Sequence, residues 1–271
     1  MKLRGKIAII TGAGQGIGLA MGERFSAEGA HVVVAEINPA TVHSAAERIS
    51  AAGTEALAYP IDVTDTDAVA RMIAAVVERF GRLDILVNNA GLSERVSFLD
   101  LSPAQWDALQ NVNQRAVFFA MQAAARQMIA QMPEDVRAAG RAERSYGKIL
   151  NLSSIAGRRG RADAMHYSVS KAAVITMTQG AAMALAPYNI NVNALCPSVI
   201  PTPMWEALDR QWGAALGYPP GGLYRARLEK IPLRRAGTVG EIAAMATFLC
   251  SDDGDYITGQ TYNIDGGSEL N

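Results

Sequence analysis

The 271-residue chain is 49% hydrophobic and 19% charged, with a formal net charge of −1. This is enough apolar sequence for one large core in a single α/β domain. The near-neutral balance, with no Lys/Arg block, argues against a nucleic-acid or anionic-membrane partner. Two cysteines, Cys196 and Cys250, lie in apolar sequence and fit buried free thiols, not a disulfide framework. With no signal-peptide pattern and no run of transmembrane length, a cytoplasmic enzyme is expected.

From the N-terminus, Ile7-Ala8-Ile9-Ile10 is a short buried-strand signal. The glycine-rich turn Thr11-Gly12-Ala13-Gly14-Gln15-Gly16-Ile17-Gly18 follows, then a helix over about 16–28. A second strand is expected over 31–35, a helix over 39–51, a third strand over 56–61, a helix over 69–80 and a fourth strand over 85–87. Val117, Met121, Ala124 and Met128 recur at helical spacing and predict a long helix over 112–132. The polar stretch 133–146 reads as an exposed loop, 149–152 as a fifth strand and 165–186 as a helix stopped by Pro187. A sixth strand over 190–195, a helix over 242–249 and a last strand over 261–264 complete the series.

Alternating apolar strands and amphipathic helices indicate one Rossmann-type α/β domain over 1–271, a doubly wound parallel sheet of about seven strands with helices on both faces. The segment 201–232 breaks the pattern with five prolines, two tryptophans and the Gly221-Gly222 pair. Long irregular segments in compact domains are usually functional, and Trp205, Trp212 and Tyr218 offer apolar anchors, so a substrate lid is expected there.

The glycine turn stands between a strand and a helix, the context that gives this motif meaning. Gly12 permits the tight turn. Gly16 and Gly18 let backbone approach a pyrophosphate and let the helix pack on the sheet, while the helix N-terminus supplies amide donors. Glu36, just after the second strand, suits the ribose hydroxyls of NAD and would repel the extra phosphate of NADP; Gln15 and Ile37 bring no cation to offset that. Asp62-Val63 either meets the adenine edge or caps the next helix.

Tyr167 and Lys171, four residues apart on a helix, share one face. A phenol beside an ammonium gains access to its phenolate form and can act as a base. Ser154, thirteen positions earlier, offers a hydroxyl to steady a developing oxyanion. The arrangement points to removal of hydride and proton from an alcohol. The three histidines, His31, His43 and His166, are scattered, so no catalytic metal is expected.

These motifs, with Asn88-Asn89-Ala90-Gly91, Asn113 in Asn111-Val112-Asn113, Pro197 to Thr202 and the ending Thr258-Gly259-Gln260 to Asp265-Gly266-Gly267, make the whole chain resemble the short-chain dehydrogenase/reductase family. The resemblance implies Tyr167 as acid/base and Ser154, not Ser153, as the residue that orients the substrate oxygen. It implies Lys171 on the nicotinamide ribose, lowering the phenol pKa, and Asn113 anchoring a water that links Lys171 to solvent. It further implies Gln15, Ile17 and Asn89 beside the cofactor, Ile200 and Thr202 at the carboxamide, and a homotetramer. Ser198 replaces the family's usual glycine; it either alters the backbone there or adds a hydroxyl near the substrate.

Within the family the likeness is nearest to sorbitol-type polyol dehydrogenases, which implies NAD-dependent interconversion of a secondary alcohol, a polyol or sugar alcohol, with its ketone. His166, Ser198, Arg158, Asp163 and Glu206 are the candidate polyol contacts. The cluster Arg158-Arg159-Gly160-Arg161 reads first as a solvated loop and second as a rim of the site. A ketone reductase for a hydroxysteroid or 3-oxoacyl substrate is the alternative that Trp205, Trp212 and Met204 would suit. A non-catalytic NAD sensor is disfavoured, because Tyr167, Lys171 and Ser154 are all kept.

Overall fold

The computed structural model describes residues 1–270. Seven strands form: β1 (Ile7–Thr11), β2 (His31–Glu36), β3 (Ala56–Pro60), β4 (Ile85–Asn88), β5 (Gly147–Leu152), β6 (Ile190–Pro197) and β7 (Thr261–Ile264). All pair in parallel in one sheet, in the order β3-β2-β1-β4-β5-β6-β7. The chain winds outward from β1 in one direction, returns, and continues from β4 in the other. The reversal leaves a crevice beyond the carboxyl ends of β1 and β4, where open α/β sheets bind ligands.

The strands are continuously apolar because each buries both faces. In β1, Ala8 and Ile10 point into one core while Ile7 and Ile9 point into the other. The first core is closed by α1 (Gly16–Ala27), α2 (Pro39–Ala52) and α10 (Val239–Cys250). The second is closed by α3 (Thr66–Phe80), α5 (Val117–Ala130) and α7 (Met165–Leu185). Capping chemistry sets several boundaries. Asn38 starts α2 by accepting the Ala40 N–H, and Asp65 starts α3 by accepting those of Asp67 and Ala68.

Three segments depart from the sequence-based expectation. The long helix begins earlier, as α4 (Pro103–Gln110) capped by Ser102 and Gln105, and reaches α5 through one π-helical stretch, Asn111–Ala116. A π-turn keeps the helical run going while re-aiming one side chain, so the periodicity alone did not expose it. The expected loop over 133–146 contains a short surface helix, α6 (Glu134–Ala139), with no buried residue. The segment 201–232 is largely helical: α8 (Pro203–Ala215) and α9 (Gly222–Leu228) are tied together by Asp209, which accepts the N–H groups of Gly221 and Tyr224, both at 2.8 Å. Prolines at helix starts and a glycine turn are compatible with helices, which is why breaker residues misled there.

Among the described residues no helix is long and apolar enough to cross a membrane. Cys196 and Cys250 are buried free thiols.

Candidate active site

The turn after β1 and the start of α1 form one wall of the crevice. Gly12 and Gly16 adopt left-handed backbone, with φ of 64° and 58°, which favours glycine. A Cβ on Gly12 would meet Ala90 Cα at 2.8 Å. Gln15, at the N-cap of α1, makes no side-chain cap hydrogen bond. The first amides of α1 are therefore left for an anion at the positive end of the helix dipole. Gly18 has a different task. A Cβ there would strike Gly12 O and come within 2.5 Å of Asn89 Nδ2, so Gly18 lets the helix pack on the turn, and it lines neither cavity described below.

A cleft of about 280 Å³ runs from this turn across the ends of β2 and β3, lined by Gly12, Gln15, Gly16, Ile17, Glu36, Asp62 and Val63, among others. Glu36 Oε2 accepts the Gly14 N–H at 3.1 Å and Oε1 the Asn38 N–H at 3.2 Å, which fixes the carboxylate and leaves lone pairs for hydroxyl donors. Asp62 does not cap α3; its Oδ1 takes the Thr64 N–H and hydroxyl at 2.9 and 2.8 Å, and Asp65 does the capping. The left-handed glycines, the uncapped helix start and the anchored carboxylate together fit a dinucleotide.

A second cavity, of about 340 Å³, continues from this cleft past Asn89, Ile17 and Thr202. Tyr167, Lys171 and Ser154 all line it, as do Ser198 and Ile200. Tyr167 and Lys171 come from α7, and Ser154 from the turn after β5, so strand ends and one helix bring the three together. Lys171 Nζ sits 5.8 Å from the centre of the Tyr167 ring and donates to Leu152 O at 2.8 Å. Burial pushes the Lys171 amine down to about 8. The Tyr167 phenol is pushed above its ordinary value, because burial raises it more than the Ser154 hydroxyl and the Arg95 guanidinium lower it. The expectation that Lys171 lowers the phenol pKa is thus not met by the protein's own groups; desolvation of a buried phenol dominates.

Ser153 also lines the cavity, but its hydroxyl donates to Lys171 O at 2.7 Å and ties α7 to the turn after β5. Asn113, fully buried in the π-helical stretch, has its amide engaged by Leu92 and Ser170. Asn89 Nδ2 donates to Thr11 O and Gly12 O at 3.0 and 2.9 Å, locking the glycine turn.

Of the candidate polyol contacts, Ser198 lines the cavity in ordinary backbone geometry, since among the described non-glycine residues only Asn189 and Arg234 have positive φ. The serine adds a hydroxyl there without strain. Arg158 is spent on the β7 edge, donating to Asn263 Oδ1 and Thr261 O. Glu206 is exposed and His166 is buried 3.7 Å from Glu94; neither lines the cavity. Asp163 lies behind the wall, paired with Arg95. Arg159 and Arg161 do line the cavity, so the rim reading of that cluster holds. Trp205 also lines it, with its indole N–H unpartnered, whereas Tyr218 is exposed and anchors nothing in the core.

Sequence reasoning missed Arg95, Arg227, Lys230 and Glu269 in this lining. The available signal was the charged pair Glu94-Arg95 in the loop leaving the carboxyl end of β4, the edge at which such sheets place their sites. Among the described residues there is no cluster of metal-ligating side chains.

A family model described as enoyl-(acyl carrier protein) reductase matches residues 12–269. The chain is 40% identical to a galactitol 2-dehydrogenase of Agrobacterium fabrum and 39% identical to a sorbitol dehydrogenase of Cereibacter sphaeroides, covering 99% of this chain and of each relative. The crystal structure of an NAD+-bound xylitol dehydrogenase superposes with a TM-score of 0.89 at 34% identity, covering 98% of this chain and 100% of that one.

Proposed function

Because the chain belongs to the short-chain dehydrogenase/reductase family and is an alcohol–ketone oxidoreductase within it, we propose that it oxidises a secondary alcohol on a hydroxyl-rich carbon chain, reversibly and with NAD. The observation that carries this reading is the convergence of the Tyr167 phenol, the Ser154 hydroxyl and the Lys171 amine on the cavity that continues the dinucleotide cleft. The polyols named for the relatives, galactitol, sorbitol and xylitol, supply the substrate class.

A bound dinucleotide would supply the hydride acceptor and a positive ring that favours phenolate. The protein does the rest. Tyr167 takes the hydroxyl proton, and Ser154 donates to the substrate oxygen. Lys171 holds the ribose and returns protons toward solvent past Asn113. Gly12, Gln15, Gly16 and Ile17 would shape the pyrophosphate seat, with Gly18 packing α1 behind it, and Glu36 would accept the adenosine ribose hydroxyls. Asp62 and Val63 would flank the adenine, Asn89 would border the second ribose, and Ile200 and Thr202 would border the carboxamide. The charge of Glu36 favours NAD over NADP, and no lysine or arginine in the cleft offsets it.

In this reading α8 and α9 are the substrate lid, and Thr202, the N-cap of α8, lines both the cleft and the cavity. The assembly is a homotetramer in the cytoplasm, supported by the exposed apolar side chains Phe118, Val169 and Met183 on α5 and α7; a monomer in sedimentation equilibrium would remove the first half of that statement. The experiment for the activity is growth of NADH absorbance across a panel of polyols and hydrophobic hydroxy compounds, run with NAD and NADP in parallel. Polyol-dependent growth with NAD is expected. Preference for hydroxysteroids or hydroxyacyl compounds would replace the substrate class, and a silent panel with NAD bound would leave only a sensor.

A further inference from the structure

Beyond Tyr167, the cavity has a charged wall that hydride transfer leaves unused. Arg95, Arg159, Arg161, Arg227 and Lys230 line it. Their counter-charges are too few. Arg95 pairs with Asp163 Oδ2, and Arg227 approaches the same oxygen at 3.8 Å. Arg159 and Arg161 likewise share Glu269 Oε1, at 2.9 and 2.6 Å. Among the described residues, no carboxylate pairs with Lys230. Asp265, four residues before Glu269, is engaged by the backbone N–H groups of Gly267 and Glu269. Among the described residues, two carboxylates, Asp163 and Glu269, are therefore shared by four of these five cations, and Lys230 pairs with none.

Arg95 lies deepest, with its side chain 14% exposed and its Nε buried without a partner. Arg161 and Arg227 act on it as like charges, and its own charge is felt at the Tyr167 phenol. The excess is not there for the cofactor's phosphates, because no lysine or arginine lines the dinucleotide cleft. Crowding under-neutralised guanidinium groups around a half-enclosed cavity costs free energy unless a ligand supplies the missing negative charge. Guanidinium pairs are suited to both carboxylate and phosphate.

We propose that the alcohol oxidised by this protein carries an anionic group, a carboxylate or a phosphate, on the part of the chain remote from the reacting carbon, seated among Arg95, Arg161, Arg227 and Lys230. This rests on the hydride-transfer reading above, which places the reacting carbon at Tyr167 and Ser154. It separates this chain from relatives whose names carry neutral polyols.

The test is a matched series on the purified full chain with NAD: sorbitol and galactitol, the aldonates gluconate and galactonate, and sorbitol 6-phosphate. One anionic arm is expected to exceed its neutral counterpart in kcat/KM by at least about 10-fold, the scale of one charge-assisted contact; which arm does so distinguishes carboxylate from phosphate. Arg227→Met and Lys230→Met are expected to raise KM for that anion about 10- to 100-fold and KM for the neutral polyol at least about 5-fold less, so that the anion-to-neutral preference falls. Lys230→Arg should restore the lost affinity. A neutral polyol that equals or surpasses both anions, or variants that affect neutral and anionic substrates alike, would overturn the proposal. If no alcohol at all is oxidised, the dehydrogenase reading fails separately. Calorimetric binding of the same compounds to the NAD-loaded protein then still decides the anion site, because binding that is blind to charge and unchanged in Arg227→Met removes it.

Discussion

Asn113 and Leu92 hold each other reciprocally: Asn113 Oδ1 accepts the Leu92 N–H at 2.7 Å, and Asn113 Nδ2 donates to Leu92 O at 2.8 Å. The second Nδ2 hydrogen goes to Ser170 Oγ at 3.1 Å. The π-helical stretch thereby fastens the loop after β4 to α7, one turn from Tyr167. Asn113→Ala removes all three bonds and leaves a fully buried gap. A stability loss of about 1–3 kcal/mol is expected in urea denaturation, with kcat falling alongside because Gly91, 3.5 Å from Lys171 Nζ when given a Cβ, belongs to the same loop.

Tyr167→Phe removes the proton acceptor and keeps the ring. NAD affinity is expected to stay within about twofold while kcat drops about 10²- to 10⁴-fold, the range of a general base. Stopped-flow binding and steady-state rates read the two separately. Near-normal turnover would take the phenol out of the reaction.

Lys171 makes stability depend on pH in an unusual direction. Burial pushes its folded-state pKa down to about 8 from an ordinary 10.5, so the unfolded chain binds the extra proton between those values. The fold carries the full penalty below pH 8 and sheds it as pH rises toward 10.5. In the protein without added dinucleotide, denaturation free energy relative to Lys171→Met is therefore expected to rise across that window. A flat difference would mean that the amine is not desolvated in solution.

Glu36→Gln keeps an acceptor for Gly14 and removes the charge. The ratio of KM for NADP to KM for NAD is expected to fall about 10-fold, on the scale of one partly screened Coulomb term. An unchanged ratio would assign cofactor choice elsewhere.

Gly18→Ala tests packing at the turn. A Cβ 2.5 Å from Asn89 Nδ2 must displace the side chain that locks Gly12. Overpacking of this kind costs about 1–3 kcal/mol, and a raised KM for NAD should accompany the lower Tm. Alanine tolerated without either change would mean that α1 shifts freely.

The strands and most helices were legible in the chain because a two-sided parallel sheet writes continuous apolar runs, as in Ile7–Thr11 and His31–Glu36, and caps such as Asn38 write helix starts. The π-helical stretch at Asn113 was not, since it continues a helical pattern while changing its phase. The helices α8 and α9 were hidden by prolines that stand at helix starts as readily as in loops. Asp62 was read as either an adenine contact or a cap, and the structure gives the cap to Asp65, three residues on.

By itself the sequence determined the doubly wound sheet, the glycine turn and the identities of Tyr167, Lys171 and Ser154, because local periodicity and spacing encode elements and the side chains they carry. The tertiary structure alone decided that Arg95 and the much later pair Arg227 and Lys230 line one wall beside the phenol, and that burial raises that phenol. Charge excess and desolvation are properties of what surrounds a group in space, and no reading of neighbours along the chain contains them.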